Sequence, residues 1–269
     1  TAFHNGLDAK ARGSFNEAYD HLVEALDHFD AADRANAASV TLNQLGAIAH
    51  QCGNTEDAAF RYRDALARAE VAQDNATMAL SCGNLGALHL DMGDFVRARI
   101  FALRSLELYA TVPDPVGRGN QLGNLGIIAH QTGQTDQART YLTDAIGAFL
   151  IADHPVGAGR TLLRFGEMDT ESGDLAHAAE NFHRAGDLLA RAGDRDGLAY
   201  VLRSLGHLCR RTGDLEGAQR YFLRGRDLHV AMADCRGESA ALIDLANIIE
   251  AQGDPIEALS LRRQALEAR

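Results

Sequence analysis

Proline and cysteine are scarce in this chain, and no apolar run extends beyond a few residues. Four prolines in 269 residues rule out a collagen-like or proline-rich polymer. The four cysteines, Cys52, Cys82, Cys209 and Cys235, form neither a CxxC pair nor a disulfide framework, which predicts a reducing, cytoplasmic setting. Short apolar runs, with no basic-then-apolar leader, predict neither a membrane partner nor a secretory signal. Positive charge is the minor sign. Lys and Arg number 26 against 37 Asp and Glu, and the net charge of -11 repels nucleic-acid phosphates and anionic lipid, so no nucleic-acid partner is expected. What the chain does have is 46% apolar residues beside 23% charged ones, enough to bury a core and remain soluble and ordered.

It also has a period, and the period is forty. Gly recurs at 13, 53, 93, 133, 173, 213 and 253, and again at 6, 46, 86, 126, 166 and 206 before Ala246 takes its place. Ala follows five residues after each Gly of the first series, and four further on stand mostly large residues: Leu22, Tyr62, Ala102, Leu142, Phe182 and Phe222. A fixed register of this kind decides the fold before any local motif does. Leu42, Leu45, Gly46 and Ala49 form one stripe of an amphipathic helix, helix A; Ala58, Tyr62, Ala65, Leu66 and Ala69 form a stripe on helix B. Between them a Gly is followed by Asn54, Asp94, Asp174, Asp214 or Asp254, a left-handed C-cap and then an N-cap oxygen. Asp74, Asp114, Asp194 and Asp234 are expected to cap helix A, with Pro115, Pro155 and Pro255 in first turns. Small residues at Gly46 and Ala58 let the two helices approach while Leu45 and Tyr62 fill the space beside them. One hairpin leaves an apolar face bare, so hairpins must stack. Seven units are expected within a single array over 1–269: 1–32, 33–72, 73–112, 113–152, 153–192, 193–232 and 233–269. The first is expected to have a weak helix A, over residues 1–12, because Asn5 stands where Leu is usual.

The motif Asn84-Leu85-Gly86, Gly93-Asp94-Phe95, Ala98, Ser105-Leu106 resembles the tetratricopeptide repeat over essentially the whole chain. The resemblance implies an all-α, right-handed superhelical solenoid of about seven helix hairpins. The longer 40-residue unit is similar to two groups: G-protein-modulating adaptors, and bacterial signalling and transcription regulators. Members hold a peptide or protein segment in the concave groove lined by helix A. The function this implies is a non-catalytic binding module, the sensor or partner-docking part of a bacterial regulator. A stand-alone self-assembling scaffold or adaptor is the alternative, and an enzyme accessory a third reading.

The groove face of helix A is sampled at columns 40, 43, 47 and 50 of the repeat. It is small and apolar through the third full unit, at Val40, Ala47, Ala87 and Ile127, and charged from Arg160 onward. An acidic segment is expected to dock on Arg160, Tyr200, Arg203 and His207, with Arg164, Arg210 and Arg211 nearby, because Arg forms bidentate bonds with carboxylates. Its apolar part would lie over Ala47, Ala87 and Ile127. The groove set is completed by Asn43, Asn84, Asn120, Asn124 and Asn247. In the adaptor group an Asn commonly follows the Gly of helix A, whereas here Asn84 and Asn124 stand two positions earlier. The Lys/Asn clamp of chaperone-binding arrays is missing as well.

Catalytic constellations dissolve into the repeat. Gly117-x-Gly119 and Gly157-x-Gly159 have no strand before them and no third Gly in place, so they read as helix starts. His50 and His130 share a column two units apart, too far to share a metal, and no HExxH occurs. Neither cofactor nor metal is expected. His89 and Asp169 occupy a packed column where a polar group needs a partner, and Cys82 and Cys209 sit in core columns. The array closes at Arg269 within helix B, with Arg262 in the column of Tyr62 as a partial cap. Its ends are expected to meet a larger chain or a second copy.

Overall fold

The computed structural model describes residues 1–268; the expected place of Arg269 in the last helix lies outside the described residues. Among the described residues there are fourteen helices and no strand. They alternate as helix A and helix B: α1 (Ala2–Ala11), α2 (Phe15–Ala31), α3 (Ala35–Gln51), α4 (Thr55–Ala72), α5 (Asn75–Asp91), α6 (Phe95–Tyr109), α7 (Pro115–Gln131), α8 (Thr135–Ile151), α9 (Pro155–Ser172), α10 (Leu175–Ala192), α11 (Arg195–Thr212), α12 (Leu215–Ala231), α13 (Cys235–Ala251) and α14 (Pro255–Glu267). Contacts divide them into two compact units, Thr1–Ala148 and Phe149–Arg269.

The A-to-B turn forms as its residues dictate. All seven turn glycines, from Gly13 to Gly253, have positive φ, a conformation that costs Gly nothing in side-chain clash. After five of them the next residue turns its side-chain oxygen to the helix B N–H groups, while Ser14 makes no such bond. Asn54 accepts from the Asp57 amide and Asp94 from the Arg97 amide. Asp174, Asp214 and Asp254 cap α10, α12 and α14 in the same way. Helix A is capped by Asp74, Asp114, Asp194 and Asp234, and Pro115, Pro155 and Pro255 sit in first turns. Helix α1 forms despite Asn5, with Thr1 as its cap.

In every hairpin but the last, helix A carries a glycine in column 46 where helix B comes close. A Cβ on Gly46 would lie 2.6 Å from the Tyr62 ring, and one on Gly166 would lie 2.5 Å from the Phe182 ring. The large side chain of helix B therefore occupies the hollow that helix A leaves. In the first unit this builds a core from Leu22, Leu42, Leu45 and Ile48, continued by Tyr62, Leu85 and Leu88. In the second, Phe222 packs with Leu245 and Ile248. Two polar residues in the packed column are housed differently. Asp169 is fully buried and accepts from Asn181 Nδ2 at 2.9 Å; His89 stacks on Phe101 and has Asp94 3.7 Å away.

Candidate functional site

In the first unit the free face of helix A is small and half-buried at Ala47, Ala87 and Ile127, with Asn120 exposed and Asn124 half-buried beside it. Asn43, expected on that face, is buried: its Nδ2 donates to Ser81 Oγ at 2.8 Å and to the Ser39 carbonyl, and Asn84 Nδ2 donates to its Oδ1 at 3.1 Å. These two Asn therefore stitch α3 to α5. One period on, Gln121 of α7 fills the place of the side chain that Gly83 of α5 lacks. Columns 41 and 43 form the seam between successive A helices, and a polar pair there is satisfied within the protein.

In the second unit the same seam changes character. Leu163 and Val201, both buried, occupy these columns on α9 and α11, which lie in contact. One period later the columns hold Arg203 and Ala241, and an ion facing a methyl group cannot close the seam. Across this seam Arg203 of α11 pairs with Asp244 of α13 in place of an apolar contact, and a gap opens beside the pair. The gap is a cleft of about 380 Å³ floored by Phe222, Gly225 and His229 of α12 and walled by Tyr200, Arg203, Arg236 and Asp244. Gly225 deepens it where the other units place Ala or Ser, as at Ala65, Ser105 and Ala185.

Electrostatics divide this surface into spent and available charge. Arg203 Nε lies 3.2 Å from Asp244 Oδ2, and His207 Nε2 lies 3.6 Å from the same oxygen while its ring meets Phe222 edge-on. Burial pushes the His207 imidazole below its usual range, against the pull of Asp244. Arg160 is held by Asp194 at 2.9 Å; burial draws that carboxyl upward, but Arg160 and the Gly197 amide together hold it below the usual carboxylate range. Arg164 pairs with Glu167, and Arg211 donates to the Thr170 carbonyl. Asn247 accepts from Arg262. At the far wall His229 Nδ1 lies 2.9 Å from Asp234, whose carboxyl is lowered first by the Gly237 amide and further by His229. Among the described residues Arg210 and Arg236 form no ion pair, and Tyr200 stands 62% exposed at the mouth.

Tyr200 and Arg203 thus line the cleft, with His207 beside it through Asp244 and Phe222, whereas Arg160 and Arg164 lie along α9 in pairs of their own. Reading helix A alone missed Phe222, Gly225, His229 and Arg236. Gly225 breaking an Ala/Ser column was the signal that could have found them. The Gly117 and Gly157 pairs lie inside helices, where Gly117 receives the Tyr109 ring and Gly157 the Phe149 ring. No group of His, Cys, Asp and Glu among the described residues could hold a metal ion, and no described helix is long and apolar enough to cross a membrane. Burial raises the Cys82 thiol to about 11, far from a reactive thiolate.

The profile of the tetratricopeptide repeat matches residues 75–150. No protein of curated function matches the chain by sequence. Several solved structures share its fold. A signal transduction ATPase with numerous domains and a tetratricopeptide repeat sensor, from Pyrococcus horikoshii, is 16% identical with a TM-score of 0.76, over 98% of this chain and 40% of its own. The apo form of RapI is 14% identical with a TM-score of 0.71, over 100% and 96% of the two chains. A Rap protein in complex with competence and sporulation factor is 15% identical with a TM-score of 0.68, over 99% and 73%.

Proposed function

We propose that the chain, whose residues 75–150 match the tetratricopeptide repeat, is a non-catalytic docking module of a cytoplasmic bacterial regulator. It holds a protein or peptide segment against the free face of helix A in residues 149–269. The cleft between α11 and α13 carries this reading, because the regular seam would leave no such opening. Its apolar floor at Phe222 takes an apolar side chain, Tyr200 covers it, and Arg236 offers an uncommitted guanidinium to a carboxylate on the same segment. Arg203 and Arg160, already paired, position the walls and contribute less to an acidic partner than their number suggests. Rap bound to competence and sporulation factor is a fold relative that holds a factor, which supports a ligand-sensing role here.

Selection of a displayed random peptide library on the purified chain tests the assignment. Enriched peptides should combine an apolar anchor with Asp or Glu. They should lose at least about tenfold in affinity on Tyr200→Ala or Arg236→Glu, the equivalent of about 1.4 kcal/mol. Peptides that bind both variants as well as the parent would place the site elsewhere.

A further inference from the structure

The exposed side of α6 carries Val96, Ile100 and Leu103 at helical spacing, 73%, 59% and 38% exposed. On α4 the column of Ile100 holds Phe60, itself 63% exposed. Elsewhere the column of Ile100 is mostly polar, with Asp20, Thr140 and Glu180, whereas that of Leu103 is mixed, Arg63 and Thr143 alternating with Val23 and Leu223, which pack on the core. Large side chains bared on neighbouring helices mark an interaction surface. Charge on the same face is ordered, with Arg97 at one end of the apolar stripe and Glu107 at the other. Glu107 has no ion-pair partner among the described residues, and Arg97 has only Asp94, at 3.3 Å across the surface.

We propose that this face binds a second copy of the chain about a two-fold axis, with the two α6 helices antiparallel. A face that places like apolar groups at its centre and opposite charges at its two ends is complementary to itself under that operation. With the axis between positions 100 and 103, Ile100 meets Leu103 of the second copy and Leu103 meets its Ile100. Arg97 reaches Glu107 of the second copy at both ends. The same axis lays α4 on α4, so that Phe60 faces Arg63 of the second copy, a cation–π pairing. Arg63 has no ion pair of its own among the described residues. This interface does not involve the cleft between α11 and α13, so it stands or falls independently of the docking function.

Sedimentation analysis of the full chain tests the proposal, with circular dichroism to show that each variant keeps its helix content. The expected result is a reversible dimer. Ile100→Glu, Arg97→Glu and Glu107→Arg should each weaken it, the first by about 30-fold or more. Combining Arg97→Glu with Glu107→Arg should restore it, since the end pairs are then re-formed with reversed sign. A chain that stays monomeric at every concentration overturns the proposal. So does a dimer indifferent to Ile100→Glu, or a double reversal no stronger than either single one.

Discussion

A ring lodged in a glycine hollow leaves no room for a methyl group. At Gly166 the Phe182 ring is 1% exposed and enclosed on its other sides, so it cannot retreat. Gly166→Ala should therefore destabilise the protein by about 1–3 kcal/mol through overpacking. Gly123 lies on the same kind of helix with nothing within 4 Å of its missing Cβ. Gly123→Ala should raise stability by about 0.5–1 kcal/mol through propensity alone. Urea midpoints that move the same way for both would refute the hollow as the cause. His89 makes a second test at this scale. Burial, the largest influence, lowers its pKa, opposed by Asp94 and aided by Arg97 and Arg63. A histidine with a folded-state pKa below the unfolded one binds fewer protons when folded, so its contribution is whole above the unfolded pKa and lost as pH falls through it toward the folded one. Stability should drop as pH falls below the ordinary histidine value of about 6.5, and His89→Phe should lose less of it there, as read by thermal melts.

Between helices, the two kinds of turn differ in what their residues disclose. The A-to-B turn was legible because Gly and an Asx cap recur there, each for a backbone reason. The B-to-A turn was not: it takes positive φ at Asp33, Gln73, Asp153 and Ala233, residue types that do not announce it, and at Gly193 alone among glycines. At the sixth helix the same column is Pro113, whose ring forbids positive φ, and α6 ends early at Tyr109. Ala233 bears the steric cost of the left-handed conformation, so Ala233→Gly should stabilise by about 0.5–1 kcal/mol after the entropic loss on unfolding is subtracted. A lowered urea midpoint would contradict it. Site legibility followed the same logic. Tyr200 and Arg203 declared themselves as exposed types on helix A. The cleft depended on Arg203 and Ala241 failing to close a seam, and a seam becomes visible only when its two helices are placed side by side.

For the molecule as a whole, helix count, order and turn positions followed from one period, because each hairpin has the same unmet need for a neighbour. Repeats that contact only their neighbours contribute nearly independent increments of stability. Deleting residues 193–232, one full period, should leave α10 to pack on α13 with every column in register. The shortened chain should keep a cooperative thermal transition by circular dichroism, lowered by several degrees, and should fail to bind the peptides selected on the parent. A broad, non-cooperative melt would show that the hairpins are not interchangeable.

The hollow at Gly46 and the ring that fills it sit on opposite arms of one hairpin, so neither can mutate freely while the other stands still. The chain keeps one hollow without a plug, at Gly86 against the backbone of Ala102, and drops both parts in the last hairpin, where Ala246 faces a helix whose equivalent residue is Arg262. A swap made on both arms at once, small to larger on one and ring to smaller on the other, should therefore cost less than either half of it made alone.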